Sequence, residues 1–342
     1  MKKILGLLAL LTLTVTTGCT TSGSNFGNIT DDAGNKVTIT EVPENVAIVG
    51  LPPMVSFYLE FVGDVDRLGL IPAGPIVTST TYGDRLYDLS DVPTTGWMGF
   101  YDVESVLAAE PDLIITSTGT DEYDLLVKSG IPTVGFTWGE DLISEARRWT
   151  TQLGLIFDLE EKAEKVNAVS LEIEGLVEEK LKNTTKTQTG LILPWYSGFG
   201  DLEVSSDFYA GGYWLDKLKL TNSAAHFDQL YSATMEDIYT MDPDFIFLTV
   251  TAYNPSDIIN NTAYSTHNWS VVSAAQNGNV FAFPQGLFSS YALSTAAPLA
   301  LLLMADCVYD LDLNLETYAK KHFDVLGMEL TTAEITSYVT QK

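Results

Sequence analysis

Apolar and polar positions alternate along this chain in two rhythms. Residues 46–50, 67–71, 113–116 and 131–136 are short apolar runs, the pattern of strands buried on both faces. Residues 55–62, 103–109 and 123–128 repeat their apolar positions at helical spacing, and Gly130 ends the last of these. Pro52 and Pro53 interrupt the first strand. Strands alternating with helices predict a mostly parallel sheet covered on both faces. Ahead of this region, residues 29–40 read as a hairpin around the turn Asp32-Ala33-Gly34-Asn35.

Residues 141–182 break the rhythm. Asp158 is a candidate N-cap, with Glu161 at capping-box spacing. Ala163, Val166, Ser170, Ile173, Val177 and Leu181 follow at intervals of three or four. That spacing predicts a long amphipathic helix, stiff enough to act as a strut. The β/α pattern then restarts, with strands at 191–195, 245–250 and 279–283 and helices at 208–218, 235–241, 269–275 and 295–309.

The two halves share a repeat. ESVLAAEPDLII at 104–115 aligns with EDIYTMDPDFIF at 236–247, so Glu104 meets Glu236, Pro111 meets Pro243 and Asp112 meets Asp244. Each copy is a helix, a Pro-Asp turn and a buried strand. The expected fold is therefore α/β: two similar lobes with small central, mostly parallel sheets, joined by one long rigid helix, with a ligand cleft between them. The division expected is a signal segment at 1–19, a tether at 20–28, lobes at 29–140 and 183–342, and the connecting helical segment at 141–182.

Charge narrows the partners. The formal net charge of −27 excludes nucleic acid, which needs a basic face. Every Arg precedes position 150: Arg67, Arg85, Arg147 and Arg148. Lys2 and Lys3 precede an apolar stretch at 4–15 that is too short to span a bilayer. Thr16-Thr17-Gly18-Cys19 then looks like a lipobox, with Cys19 as the lipidated residue and a polar Ser/Thr/Gly/Asn tether after it. The alternative is a plain secretory signal with an incidental Cys. The only other cysteine, Cys307, sits in an apolar run and reads as a buried core residue. The three histidines, His226, His267 and His322, lack metal-ligand spacing. No nucleophile elbow, zinc-protease helix or phosphate loop occurs, and the chain does not read as an enzyme.

ITDDAGNKVTIT, PENVAIVG, VGDVDRLGLI, TGWMGFYDVESVLAAEPDLII, GIPTVGF, MEDIYTMDPDFIF and NWSVVSAAQNGNVFAFP occur in an order and spacing that resemble one family. It is the class III periplasmic-binding proteins of iron-complex (siderophore) and cobalamin ABC importers. The resemblance runs from about residue 29 to 283. It implies modest lobe closure and a monomer that delivers a small-molecule metal chelate to a permease dimer with its ATPase. The membrane is reached through the lipid anchor, and no cofactor or resident metal is expected. Glu104 and Glu236 match the family's permease-docking glutamates; the alternative for each is a solvated Glu favoured by the helix dipole. Candidate ligand contacts are Pro53, Met54, Tyr82, Arg85, Trp97 and Trp138 in the first lobe. In the second they are Trp195, Tyr196, Tyr253, His267, Phe288 and Tyr291. Aromatic rings offer flat apolar surface with polar tips. Arg85 is the one cation placed for an anionic group, and this scarcity favours a neutral or weakly charged ligand, a hydroxamate chelate or a corrinoid. Haem, a bare metal ion or an oxyanion such as molybdate are the alternatives.

Overall fold

A computed structural model describes residues 28–74, 82–97, 99–207, 210–228, 230–287 and 289–340. The signal segment, Cys19 and Phe288 lie outside the described residues. A small antiparallel hairpin, β1 (Asn28–Thr30) and β2 (Lys36–Thr38), opens the chain as expected.

The first sheet collects β3 (Val46–Ile48), β4 (Leu68–Ala73), β5 (Thr94–Trp97), β6 (Leu113–Ser117) and β7 (Thr133–Phe136). Its order is β5-β4-β3-β6-β7, and every pairing is parallel. The connecting helices are α1 (Pro52–Phe61), α2 (Gly83–Leu86), α3 (Val103–Ala108) and α4 (Asp121–Lys128). Pro52 and Pro53 both end the strand and start α1, because a proline in the first turn gives up no helical hydrogen bond.

Two helices follow, α5 (Leu142–Phe157) and α6 (Glu160–Leu181). The long helix expected from residue 158 is α6, but its start differs. Asp158 adopts a left-handed conformation (φ 57°) and ends α5, while Leu159 is the N-cap of α6. The connection is thus a pair of antiparallel helices. Asn167 Nδ2 donates to the Arg147 carbonyl at 3.2 Å, and Gly154 sits so near Ala163 that an added Cβ would lie 2.8 Å from it.

The second lobe contains β8 (Thr189–Tyr196), β9 (Leu202–Ser205), α7 (Ala210–Lys217), β10 (Thr221–Asn222), β11 (Leu230–Ala233), α8 (Met235–Met241), β12 (Phe245–Thr251), α9 (Pro255–Ile259), α10 (Ser273–Asn277) and β13 (Val280–Ala282). Its sheet runs β11-β9-β8-β12-β13, with β10 also on β8. Pairings among β10, β8, β12 and β13 are parallel, and β9 and β11 join antiparallel. Helices α11 (Ala297–Tyr309), α12 (Leu315–Val325) and α13 (Thr332–Val339) close the chain. Cys307 is only half-buried, at the edge of the core, because it lies beyond the stretch of α11 that is buried on all sides.

The sequence repeat is a structural repeat. A capped helix precedes β6 and another precedes β12: Asp102 accepts from Ser105 N at 2.7 Å, and Thr234 forms a capping box with Asp237. Glu110 (φ 49°) and Asp242 (φ 35°) then reverse the chain before the Pro-Asp step. Asp112 accepts from Glu44 N at 2.7 Å and Asn45 N at 3.1 Å, ahead of β3. Asp244 accepts from Thr189 N at 2.8 Å, at the start of β8. In both lobes the same aspartate pins the entry of the neighbouring central strand.

One apolar core runs from α1 through α5 and α6 to α11, α12 and α13, so it is shared between the lobes. Polar links cross the same junction. Glu174 on α6 accepts from Arg147 of α5 at 2.6 Å and from Lys217 of α7 at 2.7 Å, with its side chain buried. Glu60 on α1 is buried and accepts from Leu287 N at 3.3 Å and from the Thr295 hydroxyl. Burial pushes its carboxyl up from 4.5 to about 7 despite those donors.

Two outcomes follow. Glu174→Ala, which leaves two cations without their shared anion, should lower unfolding free energy by about 3–5 kcal/mol in urea titrations. For Glu60, the folded chain holds a proton that the unfolded chain releases, so its stabilisation is complete below pH 4.5 and lost as pH rises through about 7. Glu60→Gln should flatten the decline in thermal stability between about pH 5 and pH 8; an unchanged slope would assign that decline to other groups.

Candidate ligand site

The carboxyl ends of parallel strands are where loops are free to carry side chains for binding. At the end of β5, Trp97 and Phe100 close a tight bridge, Trp97 N to Phe100 O at 3.1 Å and Phe100 N to Trp97 O at 2.9 Å. Gly96 (φ +55°) permits it, since a Cβ there would lie 1.6 Å from the Phe100 carbonyl oxygen. The Trp97 ring rests over Gly74 and is still 59% exposed. Beside it, Tyr101 OH bonds Thr116 Oγ1 at 3.1 Å, against Gly50 at the end of β3.

In the second lobe, adjacent residues at the end of β8 take opposite faces. Trp195 is 45% exposed, and Tyr196 is buried. Trp269 Nε1 donates to Tyr196 OH at 3.2 Å, and Tyr196 OH bonds His267 Nδ1 at 2.8 Å. The His267 ring stacks on Tyr196 with centroids 5.7 Å apart, and burial lowers its pKa, which favours neutral imidazole. Tyr253 packs against Tyr196 at 4.5 Å.

Between the lobes lies a cavity of about 660 Å³, within the range that holds small ligands. Trp138, Gly139, Glu140 and Leu142, from the end of β7 into α5, form one wall. Asp207, Ala210 and Tyr213, at the start of α7, form the other. Tyr213 OH donates to Asp141 at 3.0 Å and accepts from Ile143 N at 3.2 Å, which ties the walls together. Burial pushes the Tyr213 phenol up. Burial also pulls the Asp141 carboxyl upward, but donors on Ser144 and Tyr213 outweigh it and leave the group lowered.

The structure sorts the sequence-derived candidates. Trp138 lines the cavity, and Trp97 and Trp195 present open faces at strand ends. Tyr253 and His267 are half-buried in the second-lobe aromatic cluster. Pro53, Met54, Tyr82, Tyr196 and Tyr291 are buried and offer no ligand surface. Met54 is sealed because the face of α1 that carries it turns into the shared core. Tyr82 packs edge-on against Phe323 of α12. Tyr291 bonds Ser205 Oγ at 2.7 Å and serves as a strut behind α7. Arg85 is paired with the C-terminal segment: it donates to both Glu334 carboxylate oxygens at 2.8 and 2.9 Å and to the Glu329 carbonyl at 2.8 Å. That fork holds the Glu334 carboxyl down at about 2. Glu104 and Glu236 stand exposed in the first turns of α3 and α8.

Sequence reasoning missed Glu140, Asp207 and Tyr213. Glu140 lies two residues past Trp138 in the same strand-end loop, so the rule that selected Trp138 could have reached it. Tyr213 and Trp214 are neighbours on α7, and only the packed helix shows that Trp214 turns inward while Tyr213 faces the cavity.

Among the described residues, no helix is long and apolar enough to cross a membrane. No curated protein sequence matches the chain significantly. Solved structures do. A periplasmic solute binding protein from Veillonella parvula superposes with a TM-score of 0.74 at 21% identity, covering 91% of this chain and 96% of that one. The Helicobacter pylori protein CeuE with Ni(II) bound gives 0.71 at 20% identity, with 90% and 98% covered. An ABC-type Fe3+-hydroxamate transport protein from Saccharomonospora viridis gives 0.58 at 17%, with 83% and 99% covered. At these identities the likeness establishes the two-lobed fold. The profile of the family described as periplasmic binding protein matches residues 55–287, more than half the sequence. The chain belongs to the periplasmic binding protein family, whose members bind solutes outside the cytoplasm.

Proposed function

We propose that this protein captures a metal-chelate ligand, a ferric siderophore of the hydroxamate type or a cobalamin-like corrinoid, and delivers it to an ABC permease. The observation that carries this reading is the cavity of about 660 Å³ whose walls come from different lobes and include Trp138 and Tyr213. A cleft of that size with flat apolar walls suits a bulky ligand more than a bare ion. Trp97 and Trp195 at the strand ends would extend the contact surface. The Saccharomonospora viridis neighbour is described as a ferric-hydroxamate transport protein, which supports the same ligand class.

Delivery rests on Glu104 and Glu236. They occupy equivalent turns of α3 and α8, are exposed, and have no ion-pair partner among the described residues. Two carboxylates related by the lobe repeat can meet two basic sites on a permease dimer, which sets orientation and encounter rate. Cys19 as a lipidated terminus would keep the protein at the outer face of the cytoplasmic membrane, near its permease.

Tryptophan fluorescence, titrated with ferric hydroxamate, ferric catecholate, haem and corrinoid, should reveal a ligand with a Kd of about 1 μM or tighter, near −8 kcal/mol. The tightest binder should be the hydroxamate or the corrinoid. A series with no micromolar binder would reject the reading. Glu104→Ala with Glu236→Ala should leave that Kd unchanged and lower ligand uptake by about tenfold or more; a lost Kd would instead place these residues in binding.

A further inference from the structure

The charges around the cavity are one-sided. Every arginine is already paired: Arg67 to Asp64, Arg85 to Glu334, Arg147 to Glu174, and Arg148, which also donates to the Thr137 carbonyl beside Trp138, to Asp32 and Glu145. Lys217 approaches the Tyr213 ring at 5.8 Å, but its ammonium is bonded to Glu174 at 2.7 Å, with Glu178 at 3.8 Å. Behind Tyr213, then, that positive charge is already answered.

The walls carry the opposite charge. Glu140 comes from the turn between β7 and α5, and Asp207 from the segment leading into α7, so they belong to different lobes. Neither has an ion-pair partner among the described residues. Asp207 accepts from Asn222 Nδ2 at Oδ1, 3.0 Å, while Lys186, which lines an adjoining groove with Asp207, is bonded to Asp216. The same cavity holds the rings of Trp138 and Tyr213, whose faces attract cations. An anionic ligand would meet two exposed carboxylates without ion-pair partners, and no guanidinium free of a carboxylate. A cation would find two carboxylates and two aromatic rings around one cavity.

We infer that this cavity contains a subsite for a positively charged group, which makes the preferred ligand a cationic metal chelate or one with a protonated amine. The inference rests on the proposed chelate-binding function and adds the sign of the charge. Glu140 and Asp207 hold the cationic group from opposite lobes, and Trp138 and Tyr213 flank it.

The test keeps the chelate constant and varies only its charge. A ferric tris-hydroxamate with a free terminal ammonium (net +1) is compared with its N-acetyl form (neutral) and its N-succinyl form (net −1). Binding is read from tryptophan fluorescence at low ionic strength. Affinity should fall about tenfold at each step from cation to anion. In the Glu140→Gln/Asp207→Asn variant the three should bind within about threefold of one another, with an unchanged melting temperature as the check on folding. Tight binding of all three with no charge order, or a gradient that survives in the variant, overturns the inference and leaves the chelate reading standing. Failure of all three to bind rejects the hydroxamate reading, and the charge inference with it.

Discussion

The arrangement depends on Glu174. It sits on α6, the helix that leads from one lobe to the other, and accepts from Arg147 of the first connecting helix and Lys217 of α7. Its carboxylate is buried, so the pair of cations cannot drift to water without leaving it unsatisfied. α7 carries Tyr213 on its cavity side, and Tyr213 in turn reaches Asp141 at the start of α5. One buried anion thus sets where a wall of the cavity stands relative to the helices that join the lobes. The apolar core shared by α1, α5, α6 and α11 gives that junction its mass, and Glu60 adds a second polar tie across it.

On this rigid back the two lobes repeat a single device. Asp112 and Asp244 each clamp the backbone at the entry of a central strand, after a reversal in left-handed geometry. The clamp fixes the level of the strand, and so fixes how far its carboxyl end projects toward the cleft. Glu104 and Glu236 lie one helix upstream of the clamps and inherit the same symmetry. The exposed glutamates and the aspartate clamps are two products of one duplicated unit.

Much of this was legible beforehand. The apolar runs at 46–50, 113–116 and 131–136 became β3, β6 and β7 because strands buried on both faces tolerate little else. The long helix after residue 158 was legible from its spacing, while α5 was legible only as part of a helical segment at 141–182, because its separate axis is set by distant partners such as Glu174 for Arg147 and Asp32 for Arg148. Of the candidate aromatics, Trp138 reached the cavity, but Tyr82, Tyr196 and Tyr291 went into the interior. A tyrosine can place its ring in a core and its hydroxyl on a neighbour, so residue type does not separate the two fates.

The periodic part could be read from the residues alone: two β/α halves, the repeat between them, a helical connection, and an acidic chain with few arginines. These are local or additive properties, readable from spacing and counts. The tertiary structure decided which side chains meet across the chain. It gave Arg85 to Glu334, turned Met54 into the core, and brought Glu140 and Asp207 to one cavity from positions remote in sequence. Pairing of that kind depends on how whole helices and sheets pack, and no local pattern encodes it.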